Sequence, residues 1–264
     1  MKRFIFVSVL FLVSAILFAQ SGGVLETDVE VGDEFSNLSS IMLWKSFDLG
    51  DSEFETSMLL ESETSDERLT ASPGIALLFM DRTARLGTDF YLDHYNDDDT
   101  VTSQSFWLGL YGDGDHLSGR VTGEFWTDFT SVYEVITAAS GSVSLTEDDL
   151  SVVIGQGIEW SYLDDYDDEY VRDRIRAETS AELGYESSLS PFIRGTMQHE
   201  WFQSEHELNE WTQKMTYSNS LLLEAGLMPE DEDFTITAYT EIPLFSELED
   251  GERIFGLNVK VEMF

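Results

Sequence analysis

Cysteine is missing from all 264 residues. Neither a disulfide framework nor a thiolate metal site can support the fold, and no cysteine is present to carry a lipid anchor. Basic residues are scarce: 14 Lys and Arg stand against 52 Asp and Glu, a formal net charge of −38. A nucleic-acid binder neutralises phosphates with clustered Lys and Arg, which this chain cannot supply. Cationic solutes or divalent ions are the more natural partners of such a field. Long apolar runs are also missing after residue 20, because charged residues interrupt every candidate; no later segment reads as a membrane-spanning helix. Proline occurs four times, and no low-complexity linker or repeat is evident. Catalytic signatures are absent too: no nucleophile elbow, phosphate loop, zinc-binding His-Glu-x-x-His or dinucleotide fingerprint. The four histidines, His94, His116, His199 and His206, have no ligand-like spacing. The chain reads as non-enzymatic.

The first residues read as an export leader. Lys2 and Arg3 precede an apolar run from Phe4 to Phe18, followed by Ala19 and the polar Gln20-Ser21-Gly22-Gly23. A basic start, a short apolar core and a small-residue cleavage site make a secretory signal peptide. The run is shorter than the roughly 20 residues a spanning helix needs. Cleavage is expected near Ala19, leaving residues 20–264 as one mature domain.

What the mature chain has in abundance is alternation. With 42% hydrophobic and 13% aromatic residues, its charge does not signify disorder. From Arg174 to Glu186, Ile175, Ala177, Thr179, Ala181, Leu183 and Tyr185 alternate with Arg174, Arg176, Glu178, Ser180, Glu182, Gly184 and Glu186. The same split recurs at Glu53–Glu61, Arg85–Asp93, Phe234–Ile242 and Phe255–Met263. A period of two is a strand with two different faces. The runs are about 9–13 residues, longer than ordinary strands and close to what a tilted strand needs to cross a bilayer. Short connections near Leu49–Ser52, Asp81–Thr83, Gly112–His116, Thr146–Asp149, Ser187–Pro191 and Met228–Asp233 alternate with polar stretches near Ser62–Ala71, Asp93–Thr100, Thr127–Glu134, Tyr162–Asp173, Gln203–Thr212 and Phe245–Glu252. Together these predict an all-β, up-and-down antiparallel transmembrane β-barrel of about 12–14 strands. Gly74–Met80 is apolar on both faces and fits a soluble core better; Ile41–Phe47 carries Lys45 on its apolar parity.

Within lipid a barrel wall must be apolar outside, while its lumen can be polar. The charged parity is therefore expected inward, lining the lumen with Arg85, Asp89, Arg120, Glu124, Arg174, Arg176, Glu178, Glu182, Arg194, Glu200, Glu224, Glu241, Lys260 and Glu262. Trp160, Trp201 and His199 fall on the apolar parity near strand ends, where Trp and Tyr tend to mark membrane interfaces.

The last residues, Ile254-Phe255-Gly256-Leu257-Asn258-Val259-Lys260-Val261-Glu262-Met263-Phe264, form an alternating strand that closes on a terminal Phe. This end resembles the bacterial outer-membrane β-barrel family, porins included. The resemblance implies an outer-membrane location, lipid as the surrounding partner, and recognition of the C-terminal strand by the barrel insertion machinery. It departs from the family in one respect: Phe264 shares parity with Glu262 and Lys260.

The expected function is a porin-like passive channel for small solutes, with a mild cation preference from the acidic lumen. A closed structural or adhesion barrel, and an exported soluble all-β protein binding carbohydrate or Ca²⁺, are the alternatives. For Ca²⁺, the acidic run Asp164, Asp165, Asp167 and Asp168 supplies oxygen ligands on one stretch of chain, although without EF-hand spacing. No other cofactor is expected.

Overall fold

In the computed structural model every described residue lies in a β-strand or in a connection between strands. The described residues are 22–31, 35–64, 68–95, 100–147, 149–165, 170–206, 216–229, 234–246 and 253–263. The leader read at residues 1–19 and the terminal Phe264 lie outside them. The strands are β1 (Gly23–Val31), β2 (Phe35–Asp48), β3 (Ser52–Glu63), β4 (Arg68–Phe79), β5 (Ala84–His94), β6 (Thr100–Asp113), β7 (Leu117–Thr127), β8 (Val132–Glu147), β9 (Leu150–Asp165), β10 (Tyr170–Tyr185), β11 (Pro191–His206), β12 (Thr216–Leu227), β13 (Phe234–Ser246) and β14 (Ile254–Met263).

Each strand pairs antiparallel with its sequence neighbours, and β1 pairs with β14, from Gly23 opposite Met263 to Val31 opposite Phe255. The ring closes on itself, so no edge strand is left unpaired. The sheet is single and closed, as expected of a barrel. Fourteen strands about 4.8 Å apart and tilted by roughly 40° give a backbone radius of about 14 Å.

One end carries the connections at 49–51, 80–83, 114–116, 148–149, 186–190 and 228–233, together with the start of β1 and the end of β14. The other carries those at 32–34, 64–67, 95–99, 128–131, 166–169, 207–215 and 247–253. The first set matches the short connections expected from sequence. In the second, the long polar stretches near Ser62–Ala71 and Tyr162–Asp173 are largely strand: β3 runs to Glu63, β4 starts at Arg68, β9 runs to Asp165 and β10 starts at Tyr170. Alternation fades there because both faces become polar, not because pairing stops.

The outward parity is apolar. Leu86, Phe106, Leu108, Leu110, Val121, Ile154, Ile158, Leu183, Ile193 and Phe255 are all exposed on it. Among the described side chains, the charged residues at outward positions are Lys45, Glu147, Asp164 and Asp173, each within four residues of a strand end. Lys45 holds its Nζ 5.5 Å from the Phe47 ring centroid, so its stem covers apolar wall while its charge reaches the rim. Gly74–Met80 belongs to β4 and its turn, with Ile75, Leu77 and Phe79 outward and Ala76 and Leu78 buried on the inner face. The register between β12 and β13 shifts between Asn219 and Ser220, opposite Pro243, which has no N–H to give the ladder.

Candidate functional site: the inner wall of the barrel

Residues directly opposite one another on paired strands point to the same face, so the registers carry one parity around the ring. Starting at Arg176, the row runs to Glu159 on β9 and Glu200 on β11, and from Arg194 to Glu182 on β10 and Glu224 on β12. Glu224 faces Tyr239, which faces Gly256, which faces Glu30. Followed around, this face collects Arg85, Asp89, Arg120, Glu124, Arg174, Arg176, Glu178, Glu182, Arg194, Glu200, Glu224, Glu241, Lys260 and Glu262. It is the inner face. Inside a closed wall side chains converge, and small polar residues on this parity are nearly lost from solvent: Ser105 is 0% exposed and Ser161 1%. Sequence reasoning did not single out Glu26, Asp28, Glu30, Glu134, Glu159, Arg68 or Arg172, which share it.

Most of the inward cations are held by carboxylates. Arg174 sits 2.9 Å from Glu159, Arg172 3.2 Å from Glu134 and Arg176 3.5 Å from Glu200. Arg194 donates to Glu182 from Nε at 2.8 Å and again from its terminal nitrogen, and reaches Glu224 at 3.5 Å. Arg68 joins Glu61 and Glu63 at 3.2 and 2.7 Å. Arg85 instead stacks its guanidinium 4.4 Å from the Tyr111 ring. Four strands along the ring from β11, β1 carries three inward acids in succession. Tyr239 donates its hydroxyl to Asp28 and Glu30 at 2.8 and 2.7 Å, and Asn258 donates to Glu26 at 2.8 Å. On β5 and β6, Trp107 donates Nε1 to Asp89 at 2.6 Å.

No protein-family model matches the sequence, and no curated protein is similar to it. Solved structures are similar in shape. OmpT of Vibrio cholerae, described as an in-vitro folded outer-membrane protein in trimer form, superposes with a TM-score of 0.56 at 9% identity, over 92% of this chain and 98% of that one. OmpT expressed in the outer membrane gives 0.52, again at 9% identity, over 92% and 97%. The fold is that of the bacterial outer-membrane β-barrels.

In such a barrel the aromatic residues have a defined place. On the outer face at the loop end, Trp160, Ile175, Trp201 and Tyr217 occupy one cross-strand row. Rings touch along it: Trp160 with Tyr162, Tyr162 with Tyr133, Tyr133 with Phe125, and Trp201 with Tyr217 at 5.3 Å. His199 joins by accepting or donating at Nδ1 to the Tyr217 hydroxyl, 2.8 Å away. At the turn end Phe47 stacks near Phe54. On β10 the span from Tyr185 to Ile175 is ten residues, about 33 Å of strand, or about 25 Å once tilted, the height of the apolar band of these barrels.

The acidic run considered for Ca²⁺ is divided. Asp164 lies on the outer face, where Tyr133 donates to it at 3.0 Å. Asp165 is the last residue of β9. Asp167 and Asp168 lie outside the described residues. Among the described residues no group of three or more His, Asp or Glu could hold a metal ion.

Proposed function

We propose that the chain is an outer-membrane channel through which small solutes diffuse passively, with a mild preference for cations. The observation that carries this reading is that nothing described bridges the lumen. Among the described residues, inner hydrogen bonds and ion pairs reach no farther than the second strand along the ring, as from Tyr239 to Asp28 over β14 and from Arg172 to Glu134 over β9. A backbone radius near 14 Å therefore leaves room for water, since fourteen strands lie nearer the 16- to 18-stranded porins than the roughly eight-stranded barrels that side chains fill. Inward carboxylates outnumber inward cations, and most of the cations are already paired, so the residual field favours positive solutes. The apolar exterior makes lipid the surrounding solvent, the leader supplies a route out of the cytoplasm, and the C-terminal strand is the element the insertion machinery would grip. No enzymatic role or cofactor is assigned. Binding of Ca²⁺ at Asp164–Asp168 is a separate proposal, read by Trp fluorescence; no change at millimolar Ca²⁺ removes it.

Planar-bilayer recording tests the channel. Discrete conductance steps are expected, with a reversal potential under a KCl gradient of the sign for cation selectivity. Absence of steps, or a clear anion preference, overturns the reading. A closed structural or adhesion barrel is favoured by one observation, the dense inner packing on β4 to β6, where Leu78 is 2% and Ser103 3% exposed; it predicts a silent bilayer.

A further inference from the structure

The inner wall is furnished unevenly. Over much of the ring a large side chain lies flat on an inward glycine: Trp44 on Gly22, Trp107 on Gly87, Phe192 on Gly226 and Tyr239 on Gly256. A Cβ at any of these would collide with the ring above it. Between β7 and β10 the wall is bare. One row across the four strands is Ser118, Ser142, Gly155 and Ser180. The next is Arg120, Ser140, Gly157 and Glu178. No ring covers Gly157, where an added Cβ would meet the Ser140 Cβ at an ordinary 3.5 Å. A cavity of ≈ 340 Å³ opens on this floor, bounded by Tyr111, Arg120 and Glu178.

The ends of the second row carry opposite charges that are not spent on each other. Three strand spacings, about 14 Å, separate their backbones. Arg120 donates Nε to Ser140 Oγ at 3.1 Å and has no ion-pair partner among the described residues. Glu178 makes no side-chain hydrogen bond or ion pair among them. Paired charges such as Arg194 and Glu182 largely cancel at a distance, whereas unpaired ones act on whatever passes.

We propose that solutes cross along this bare lane against β7–β10, and that Arg120 and Glu178, which flank it, tune the charge selectivity that the acidic wall gives. The inference rests on the channel reading above. An ion passing about 7 Å from one unpaired charge in water has an interaction near thermal energy, roughly halved by screening at about 0.1 M salt. Neutralising either residue should therefore change the cation-to-anion permeability ratio about two- to threefold: Glu178→Gln lowers it and Arg120→Gln raises it.

The lack of cysteine in the chain lets a single thiol report on the lane. In the full-length folded barrel, Ser140→Cys is expected to react rapidly with a charged, water-borne methanethiosulfonate, with a fall in current. Ser72→Cys, on the packed inner face of β4 and 3% exposed in the parent, should react slowly. Gly157→Trp should cut single-channel conductance by half or more, with folding checked by gel migration before and after boiling. If that variant does not fold, labelling of Gly157→Cys takes its place. Equal labelling of both serine sites, an unreactive Ser140→Cys, or full conductance in folded Gly157→Trp would overturn the lane while the wild type still conducts. A silent wild-type bilayer would instead overturn the channel reading, and the crossing with it.

Discussion

Asp128 shows how much one side chain does where the wall ends. It stands between β7 and β8, where its Oδ1 accepts the backbone N–H groups of Thr130, Ser131 and Val132 at 2.9, 3.1 and 2.9 Å, and its Oδ2 accepts the Thr130 hydroxyl. Slight burial works against its ionisation, but the hydrogen bonds from the Thr130 side chain and from these three N–H groups outweigh it and hold the carboxyl below its ordinary range. Because the folded value is the lower one, the stabilisation is present above the unfolded value of about 3.9 and is lost as pH falls through the folded value. Asp128→Ala should cost about 1 kcal/mol at neutral pH, in line with the net worth of such hydrogen bonds. Thermal midpoints of wild type and variant, read by gel migration, should converge in strong acid; a gap that persists there would assign the cost to something other than the carboxylate. Gly87 makes a second case. A Cβ there would strike the Trp107 ring and the Ile75 carbonyl at 2.8 Å, so Gly87→Ala should lower the stability by about 1–3 kcal/mol, as is typical of overpacking, and the midpoint with it. Gly157→Ala, whose Cβ would meet only ordinary contacts, should leave the stability unchanged within about 0.5 kcal/mol and the midpoint with it.

At the scale of the strand, β10 and β11 illustrate what sequence can and cannot carry. Arg174, Arg176, Glu178 and Glu182 share a face for no reason beyond the pleat, and that was legible from spacing alone. The hairpin register, with Arg176 opposite Glu200 and Glu182 opposite Arg194, was approachable because the connection between the strands is short. Arg172 was hidden inside a stretch whose polarity resembled a loop, and Glu134 is brought to it, as Glu159 is to Arg174, only by the β8–β9 and β9–β10 registers. The β1 acids were harder still: Glu26, Asp28 and Glu30 meet Tyr239 and Asn258 only because the ring closes, more than 200 residues away in sequence. Bareness between β7 and β10 has no sequence signature of its own, since serine and glycine also mark turns. The ion pairs themselves are half exposed, 41% for Arg194 and 22% and 17% for its partners, and such pairs contribute about 0–1 kcal/mol each. Arg194→Ala should therefore shift the thermal midpoint little. It frees two carboxylates, so the reversal potential should move further toward cation selectivity; a large loss of stability with no change in selectivity would make the pair structural.

For the molecule as a whole, the consequence of −38 net charge depends on salt. The lumen wall lies about 14 Å from the barrel axis at the backbone, and its carboxylates reach several ångströms inward. At 0.1 M ionic strength the Debye length is about 10 Å, so the field of the wall covers most of the water inside. At 1 M it is about 3 Å, and an ion even a short way from the wall is shielded. A selectivity made by distributed charge must therefore fade as salt rises, whereas one made by a tight constriction that strips ions of water would persist. With the transmembrane concentration ratio held constant, the reversal potential should approach zero between 0.1 M and 1 M KCl. Conductance per unit salt should be highest at the low end, because the acidic lumen concentrates cations there. A reversal potential that does not move across that range would mean that contact, not field, selects the solute, and would shift attention from the distributed charges of the wall to whichever side chains form the narrowest point.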